Sequence, residues 1–141
     1  MRGELRMKIL GIDYGTKRIG LAISDPLGII ANGLPTIDAE VALEKIKKIV
    51  QDERVSKIVL GYPKKMDGTI GPAAEAVDKF KLKLKEATEL PVTLWDERLT
   101  TAEATKRLIE ADVSREKRKL LVDRTAATLI LQGYLDSKKV Q

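Results

Sequence analysis

The first forty residues alternate short apolar runs with polar, glycine-containing turns, a pattern typical of β-strands joined as hairpins. Three such runs predict strands, at residues 8–13, 19–24 and 29–36. The first two are separated by the turn at residues 14–18, where we expect Gly15 to supply a positive φ. Residues 25–28 (DPLG) give a second strong turn signal. The three strands together predict an antiparallel meander.

Beyond residue 39 the apolar positions recur at helical spacing, and helices alternate with strands. The pattern predicts helices over residues 40–52, from residue 72 to the proline at 91, from residue 100 onwards and over 115–137. It predicts strands over residues 57–60 and 92–95, with a polar loop over 62–71. We expect the second helix to bury a stripe formed by Ala73, Val77, Phe80, Leu84 and Ala87.

The resulting order, βββαβαβαα, predicts an α/β fold built on a mixed sheet. The last two strands each follow a crossover helix, so they should lie parallel to a neighbour through right-handed connections. The meander should form one side of the sheet, and helices should cover both faces. No repeat or linker divides the 141 residues, so we expect one domain over residues 1–141.

Composition limits the chemistry that is available. The chain has no cysteine and no histidine, which excludes disulfides, a disulfide-linked dimer, Cys/His zinc sites and Ser-His-Asp catalysis. Chemistry must therefore use carboxylates, lysines, hydroxyls or a metal held by oxygen. The net charge of +5 favours an acidic partner such as nucleic acid. Apolar runs are too short to cross a membrane, and the charged residues 1–8 do not predict a signal peptide.

Acidic residues follow two of the predicted strands. Asp13 ends the first strand beside a glycine turn, and taken alone it is better explained as an Asx-turn that closes a hairpin. Asp96 and Glu97 follow the strand at 92–95, at the end where ligand sites of open α/β sheets gather. Because adjacent strand residues point to opposite faces, only one of these two acids should face a site. A polar loop before a helix cap explains them equally well.

Asp123 lies inside the apolar arc of the last predicted helix, between Ile130 and Tyr134. A carboxylate directed at the core is costly unless it is paired, protonated or metal-bound. A salt bridge to a nearby arginine is the alternative, but the position favours function. Three carboxylates in one cavity would repel each other, and a divalent cation would remove that conflict. Oxygen ligands select Mg²⁺ or Mn²⁺, ions that support phosphodiester hydrolysis.

Basic residues flank these acids and occupy the glycine-bounded loop, where they would hold phosphates. They are Lys17, Arg18, Lys64, Lys65, Arg98 and Arg124. For any single one of them, a solvated surface charge is the simpler explanation. Trp95 and Tyr62 are candidates for stacking on bases, although we expect both to pack within the fold.

Four segments resemble the YqgF or RuvX-type family of RNase H-like nucleases. They are GIDYGTKRIGLAISD at residues 11–25, GYPKKMDG at 61–68, DERLTTAEA at 96–104 and DRTAATLILQGYLD at 123–136. Each segment alone is modest, but together they span almost the whole chain in the expected order. Proteins of this family are described both as Holliday junction resolvases and as pre-16S rRNA nucleases.

The resemblance implies a five-stranded RNase H-like sheet in the order 3-2-1-4-5. It implies a metal site for Mg²⁺ or Mn²⁺ formed by Asp13, Glu97 and Asp123, with Glu97 preferred over Asp96. It further implies a cytoplasmic role in maturing the 5′ end of 16S ribosomal RNA, with cleavage of four-way DNA junctions as the other activity. Nothing in the sequence chooses between structured RNA and DNA.

Two other classes of function stay open. Residues 11–16 also resemble the phosphate loop of sugar-kinase, actin and Hsp70-type ATPases. Those proteins bind nucleotide between two such lobes, and a domain of 141 residues is too short to supply both. The second class is a non-catalytic nucleic-acid-binding module that keeps the fold. The presence of all three acids argues against it. The chain has no GxxxxGK[ST] motif, which disfavours a P-loop NTPase.

Overall fold

Five strands and three helices make up the part of the chain that the computed structural model describes. That part covers residues 8–65, 67–97 and 115–139, with the backbone alone described for residues 115–125 and 139. The strands are β1 (Lys8–Asp13), β2 (Arg18–Ser24), β3 (Ala31–Asp38), β4 (Val55–Tyr62) and β5 (Val92–Asp96). The helices are α1 (Ala42–Glu53), which a short 3-10 turn precedes, α2 (Pro72–Thr88) and α3 (Arg115–Lys139). The helix expected from residue 100 lies outside the described residues.

The strands form one mixed sheet in the order β3-β2-β1-β4-β5. β1 and β2 pair antiparallel, as do β2 and β3, whereas β1 pairs parallel with β4 and β4 with β5. The predicted mixed sheet and its strand order are therefore confirmed. After β1 the chain continues to β2 on one side of the sheet, and after β4 it continues to β5 on the other side. The carboxyl edge shared by β1 and β4 is therefore a topological switch point, where open α/β sheets form crevices.

Alternating side chains of the strands build two apolar clusters on opposite faces of the sheet. Leu10 and Ile12 of β1 belong to the cluster that packs with α1 and α2. Val59 of β4 and Ala22 of β2 belong to the cluster that packs with Ile130 and other residues of α3. Helices thus cover both faces, as expected. No helix in the described part of the chain is both long and apolar enough to span a bilayer.

Close contacts fix α3 against the meander. A Cβ atom built at Gly11 would lie 2.7 Å from the Cβ atom of Leu131, so glycine lets the helix backbone approach β1. The side-chain amide of Gln132 accepts a hydrogen bond from the Ala31 N–H at 2.8 Å and donates one to the Ile29 carbonyl at 2.9 Å. These contacts set the position of α3 along the sheet, and hence the position of every residue that the helix carries.

Three local expectations are wrong. β3 begins at Ala31 rather than at residue 29, because the Asp25 carboxylate accepts hydrogen bonds from the Ile29 and Ile30 N–H groups and lengthens the turn. In α2, Ala74 is buried while Ala73 is exposed, so the apolar stripe starts one residue later than expected.

The third concerns Gly15, which does not adopt a positive φ; among the described glycines only Gly28 and Gly68 do. Gly15 is instead required by close approach. A Cβ atom there would collide with the backbone carbonyl oxygen of Arg18. The β1–β2 turn therefore folds back on itself too tightly for a side chain at this position.

Candidate active site

Two acidic side chains meet at the carboxyl edge of the central strands. Asp13 is the last residue of β1, and Glu97 directly follows β5. Their carboxyl groups are hydrogen-bonded to each other. Asp96, the last residue of β5, is not among the residues that line the cavity beside this pair, whereas Asp13 and Glu97 both line it. Only one of the two adjacent acids reaches the cavity, in agreement with the alternation expected for neighbouring strand residues.

Gly61 allows this meeting, since β4 separates β5 from β1 in the sheet. A Cβ atom built at Gly61 would lie 2.9 Å from Cγ of Glu97 and 2.7 Å from Cδ1 of Ile130. The Glu97 side chain therefore crosses β4 through space that a side chain at position 61 would occupy. Gly61 is the first residue of the GYPKKMDG segment, and hydrophobic periodicity alone does not reveal this role.

Burial makes this pair difficult to ionise. The pKa of Glu97 is raised from 4.5 to about 7, mainly by burial, then by the charge of Asp13, the hydrogen bond with Asp13 and the charge of Asp96. Burial also raises the pKa of Asp13, although the hydrogen bond with Glu97 acts in the opposite direction. Below about pH 7, where Glu97 is protonated, it donates the hydrogen bond to the Asp13 carboxylate. None of the described lysines or arginines forms an ion pair with either group.

Helix α3 runs over the same edge of the sheet. Gly20 pairs with Asp13 across the β1–β2 ladder, and a Cβ atom at Gly20 would lie 3.6 Å from the Cβ atoms of both Asp13 and Ala127. Ala127 thus covers this cross-strand pair. Leu131 covers Gly11, which lies two residues before Asp13 on β1. Going back along α3 from Leu131 to Ala127 therefore leads toward the Asp13 end of β1. Asp123 lies one helical turn further in that direction.

Asp13 and Glu97 are two of the three expected metal ligands. The side chain of Asp123 lies outside the described residues, as do those of Arg98 and Arg124. Among the side chains that are described, no group of three or more Asp, Glu, His or Cys is placed to hold a metal ion. The structure therefore brings two carboxylates together, and the third stays a prediction.

A cavity of about 190 Å³ opens beside the acidic pair. It lies between the β1–β2 turn, the residue after β4 and the first turns of α2. Its remaining lining residues are Tyr14, Gly15, Thr16, Pro63, Ala73, Ala76 and Val77. The acids therefore occupy one end of a cavity whose other walls are largely apolar. These walls were not predicted from the sequence, because Ala73 and Val77 fit a core stripe equally well.

Four of the six expected phosphate-binding residues are described, and all lie at this edge of the sheet. Lys17 and Arg18 are exposed in and beside the β1–β2 turn, next to Asp13. Lys64 and Lys65 follow β4. The aliphatic part of the Lys65 side chain passes over Gly71, where an added Cβ atom would lie 2.8 Å from the Cε atom of Lys65. These four cations thus lie at the same edge of the sheet as the acidic pair, although none of the four lines the cavity beside it.

The two aromatic residues considered for base stacking pack within the fold, as expected. Trp95 meets Tyr134 of α3 edge-on, with 6.1 Å between the ring centroids. Tyr62 is buried, and its hydroxyl donates a hydrogen bond of 3.0 Å to the Asp78 carboxylate of α2. Tyr62 thereby ties the end of β4 to α2, the helix that carries Ala73, Ala76 and Val77 of the cavity wall.

Comparison with known proteins identifies the family. Residues 7–137 match the family model described as RuvX, Holliday junction resolvase. A protein from Geobacillus kaustophilus is 50% identical over 138 residues, which cover 94% of this chain and 100% of that protein. A protein from Bacillus subtilis is 50% identical over 136 residues, covering 93% and 99%. Both carry the name "Putative pre-16S rRNA nuclease".

Solved structures confirm the RNase H-like fold. Thermus thermophilus RuvC in complex with a Holliday junction superposes with a TM-score of 0.60 over 94% of this chain and 96% of that one, at 14% sequence identity. A second structure of Thermus thermophilus RuvC gives the same TM-score at 12% identity. At such low identity the likeness concerns the fold alone. With the family model matching nearly the full length and relatives at half identity, this chain belongs to the RuvX family of nucleases.

Proposed function

We propose that this chain is a divalent-metal-dependent endonuclease that hydrolyses phosphodiester bonds in structured RNA. Its proposed role is to process the 5′ end of pre-16S rRNA in the cytoplasm. The observation that carries the proposal is the half-buried, hydrogen-bonded pair formed by Asp13 and Glu97 at the sheet edge. Two carboxyl groups kept together at the cost of a raised pKa indicate a functional site rather than a stabilising contact.

The donor set fits Mg²⁺ or Mn²⁺. Both groups offer only oxygen, which these ions prefer, and a cation would offset the burial and the mutual repulsion that raise the pKa of Glu97. Asp13 and Glu97 would hold the ion, and Asp123 would complete the set from α3. When bound, such an ion supplies Lewis-acid activation of water and stabilisation of the leaving oxygen.

The basic residues at the same edge would bind the substrate backbone. Lys17, Arg18, Lys64 and Lys65 are described there, and Arg98 and Arg124 adjoin two of the proposed ligands in sequence. Phosphate contacts of this kind position a substrate without reading its sequence. Recognition of a particular cleavage position would then depend on RNA shape and on contacts to individual bases.

A cleavage panel tests the proposal. Wild-type protein is incubated with a pre-16S rRNA fragment that carries its 5′ extension, with unstructured RNA and with four-way DNA junctions, in Mg²⁺, Mn²⁺ or EDTA. The expected result is metal-dependent cleavage of the precursor, absent in EDTA and in the Asp13→Asn variant. Folded wild-type protein that binds the precursor but cuts nothing in either metal would favour a non-catalytic binding module.

Junction resolution is the second candidate function. The matching family model is described as a Holliday junction resolvase, and the fold is that of RuvC. Faster cleavage of the four-way junction than of the RNA precursor, under the same metal conditions, would favour this candidate. The same acidic residues would serve either substrate, because both reactions break a phosphodiester bond.

A further inference from the structure

We propose that the apolar part of the cavity beside Asp13 and Glu97 is a subsite for one unpaired nucleobase of the substrate. The proposal rests on the proposed function, since nuclease activity makes nucleic acid the ligand. It adds that the enzyme holds a base as well as the backbone. Cleavage would then require a nucleotide next to the scissile bond to be unpaired.

The walls of the cavity have the character that a base requires. Three small or apolar side chains of α2, from Ala73, Ala76 and Val77, lie on one face of the helix at spacings of three and four residues. Pro63 and Tyr14 add further apolar surface. None of these five side chains carries a charge. Only the Tyr14 hydroxyl could donate a hydrogen bond to a phosphate, whereas all five side chains offer apolar surface to the face of a base.

The size of the cavity suits a ligand of one ring system. Its volume of about 190 Å³ is below the roughly 300–1,000 Å³ of pockets for drug-sized ligands. It is nevertheless far more than the ~30 Å³ that one water molecule occupies in the liquid. Since the acids line the same cavity, a base held against the apolar walls leaves its own backbone beside the acidic pair.

The aromatic wall is held in place by the core. The Tyr14 ring packs on Phe80 of α2 with 4.7 Å between centroids and 40° between planes, and Phe80 is itself buried. Ala73 is exposed instead of joining the buried stripe of α2, so its methyl group faces the cavity that it lines. A preformed wall of this kind binds a base without an ordering cost.

A paired base within a helix is not available to such a subsite. Enzymes that bind one base in a pocket act on single strands or pay to unstack the nucleotide. Sequence-specific RNA recognition likewise targets loops, bulges and ends, where unstacked bases can be splayed out. The subsite would therefore direct cleavage to unpaired nucleotides adjoining structured RNA.

Equilibrium binding separates base contacts from backbone contacts. The probes are a fluorescein-labelled oligouridylate and an abasic ribose-phosphate oligomer of the same length and charge, both titrated with protein in Ca²⁺. We expect wild type to bind oligouridylate more tightly by roughly tenfold or more, since one base–aromatic contact contributes about that factor. In the Ala73→Leu variant, whose side chain fills the cavity, that preference should fall by roughly tenfold while affinity for the abasic oligomer stays the same.

The matched control is Leu82→Ala, an apolar substitution at an exposed position of the same helix that does not line the cavity. It should keep the full preference for oligouridylate. An Ala73→Leu variant with unchanged unfolding free energy and wild-type preference would overturn the subsite. So would a wild-type protein that binds both oligomers equally.

Methyl NMR of the wild-type protein tests the same point without a variant. Oligouridylate, but not the abasic oligomer, should shift the Ala73, Ala76 and Val77 methyl resonances and leave the buried Ala22 and Ala42 unaffected. Unmoved cavity methyls at saturating oligouridylate would contradict the subsite. Neither experiment requires cleavage, so base-dependent binding without catalysis would remove the nuclease proposal alone. Metal-dependent cleavage with no base preference would remove the subsite alone.

Discussion

Replacing Glu97 with glutamine should stabilise the metal-free protein at alkaline pH. The substitution keeps the size of the side chain and its hydrogen-bonding capacity toward Asp13, and it removes one negative charge from the pair. In wild type that charge is unfavourable, because the pKa of Glu97 lies at about 7 in the folded state against an ordinary value of 4.5. At pH values where Glu97 ionises, its charge therefore lowers the stability of the folded state.

The size of the effect follows from the same values. At 1.36 kcal/mol per pKa unit, the difference between 4.5 and about 7 corresponds to at most about 3 kcal/mol. Glu97 is only partly buried, and water screening reduces the expected gain to about 1–2 kcal/mol. Because the folded-state pKa is raised, the native protein binds more protons than the unfolded chain between pH 4.5 and 7. Wild-type stability from this group should fall through that window and then level off.

Urea denaturation in EDTA at pH 5 and pH 8 measures the effect. The Glu97→Gln variant should exceed wild type at pH 8 by about 1–2 kcal/mol, with a much smaller difference at pH 5. The exposed Glu86→Gln substitution on α2 is the control and should change stability by less than about 0.5 kcal/mol. Adding Mg²⁺ at pH 8 should reverse the order, because a ligand that binds only the native state stabilises it. A variant no more stable than wild type at pH 8 would refute the electrostatic reasoning.

Three further predictions address the site. Asp13→Asn and Asp123→Asn should each abolish metal-dependent cleavage and leave the circular dichroism spectrum unchanged, because each removes a proposed metal ligand. Gly61→Ala should cost about 1–3 kcal/mol of stability by overpacking, because the added Cβ atom would displace Glu97 or Ile130. It should also lower the cleavage rate. Urea denaturation measures the first effect and a cleavage assay the second. The Lys64→Ala, Lys65→Ala double variant should weaken RNA binding. The slope of log Kd against the logarithm of salt concentration should fall by about two, and bound RNA should still be cleaved.

Each of these has its own contrary outcome. Mg²⁺-dependent turnover in either asparagine variant would remove that residue from the site. For Gly61 the control is Gly20→Ala, whose Cβ atom would make only ordinary contacts at 3.6 Å; equal losses in both variants would disprove a specific role for Gly61. For the lysines, identical binding at several salt concentrations would refute a backbone contact.

Hydrophobic periodicity was sufficient to predict the sheet and its covering helices. The alternation along residues 8–24 and the helical spacing after residue 39 are local signals, and each predicted strand appears within two residues of its expected bounds. The strand order came from the resemblance of the four segments to a known family, since periodicity does not say which strands pair. Where a boundary moved, as at β3, a side chain had taken over backbone hydrogen bonds: Asp25 holds the Ile29 and Ile30 N–H groups.

The acidic pair was predictable in kind but not in geometry. Taken alone, Asp13 was better explained as an Asx-turn, and Asp96 and Glu97 equally well as part of a polar loop. Alternation indicated that only one of Asp96 and Glu97 would face a site, and the resemblance to a known family favoured Glu97. The role of Gly61 depends on a side chain that arrives from a strand more than thirty residues later. No local pattern encodes such a contact. The cavity beside Tyr14 was not predicted for the same reason. Ala73 differs from a core alanine only in that its methyl group faces a cavity instead of a packed side chain.

Anomalous diffraction from crystals grown at pH 8 with MnCl₂ would show whether Asp13, Glu97 and Asp123 share a divalent cation. We expect a manganese peak at the carboxyl edge of β1 and β4, within bonding distance of oxygens from all three side chains. The peak should be absent in crystals of the Asp13→Asn variant grown under the same conditions. Wild-type crystals in which manganese binds elsewhere, or in which Asp123 turns away from the Asp13–Glu97 pair, would contradict a shared cation site.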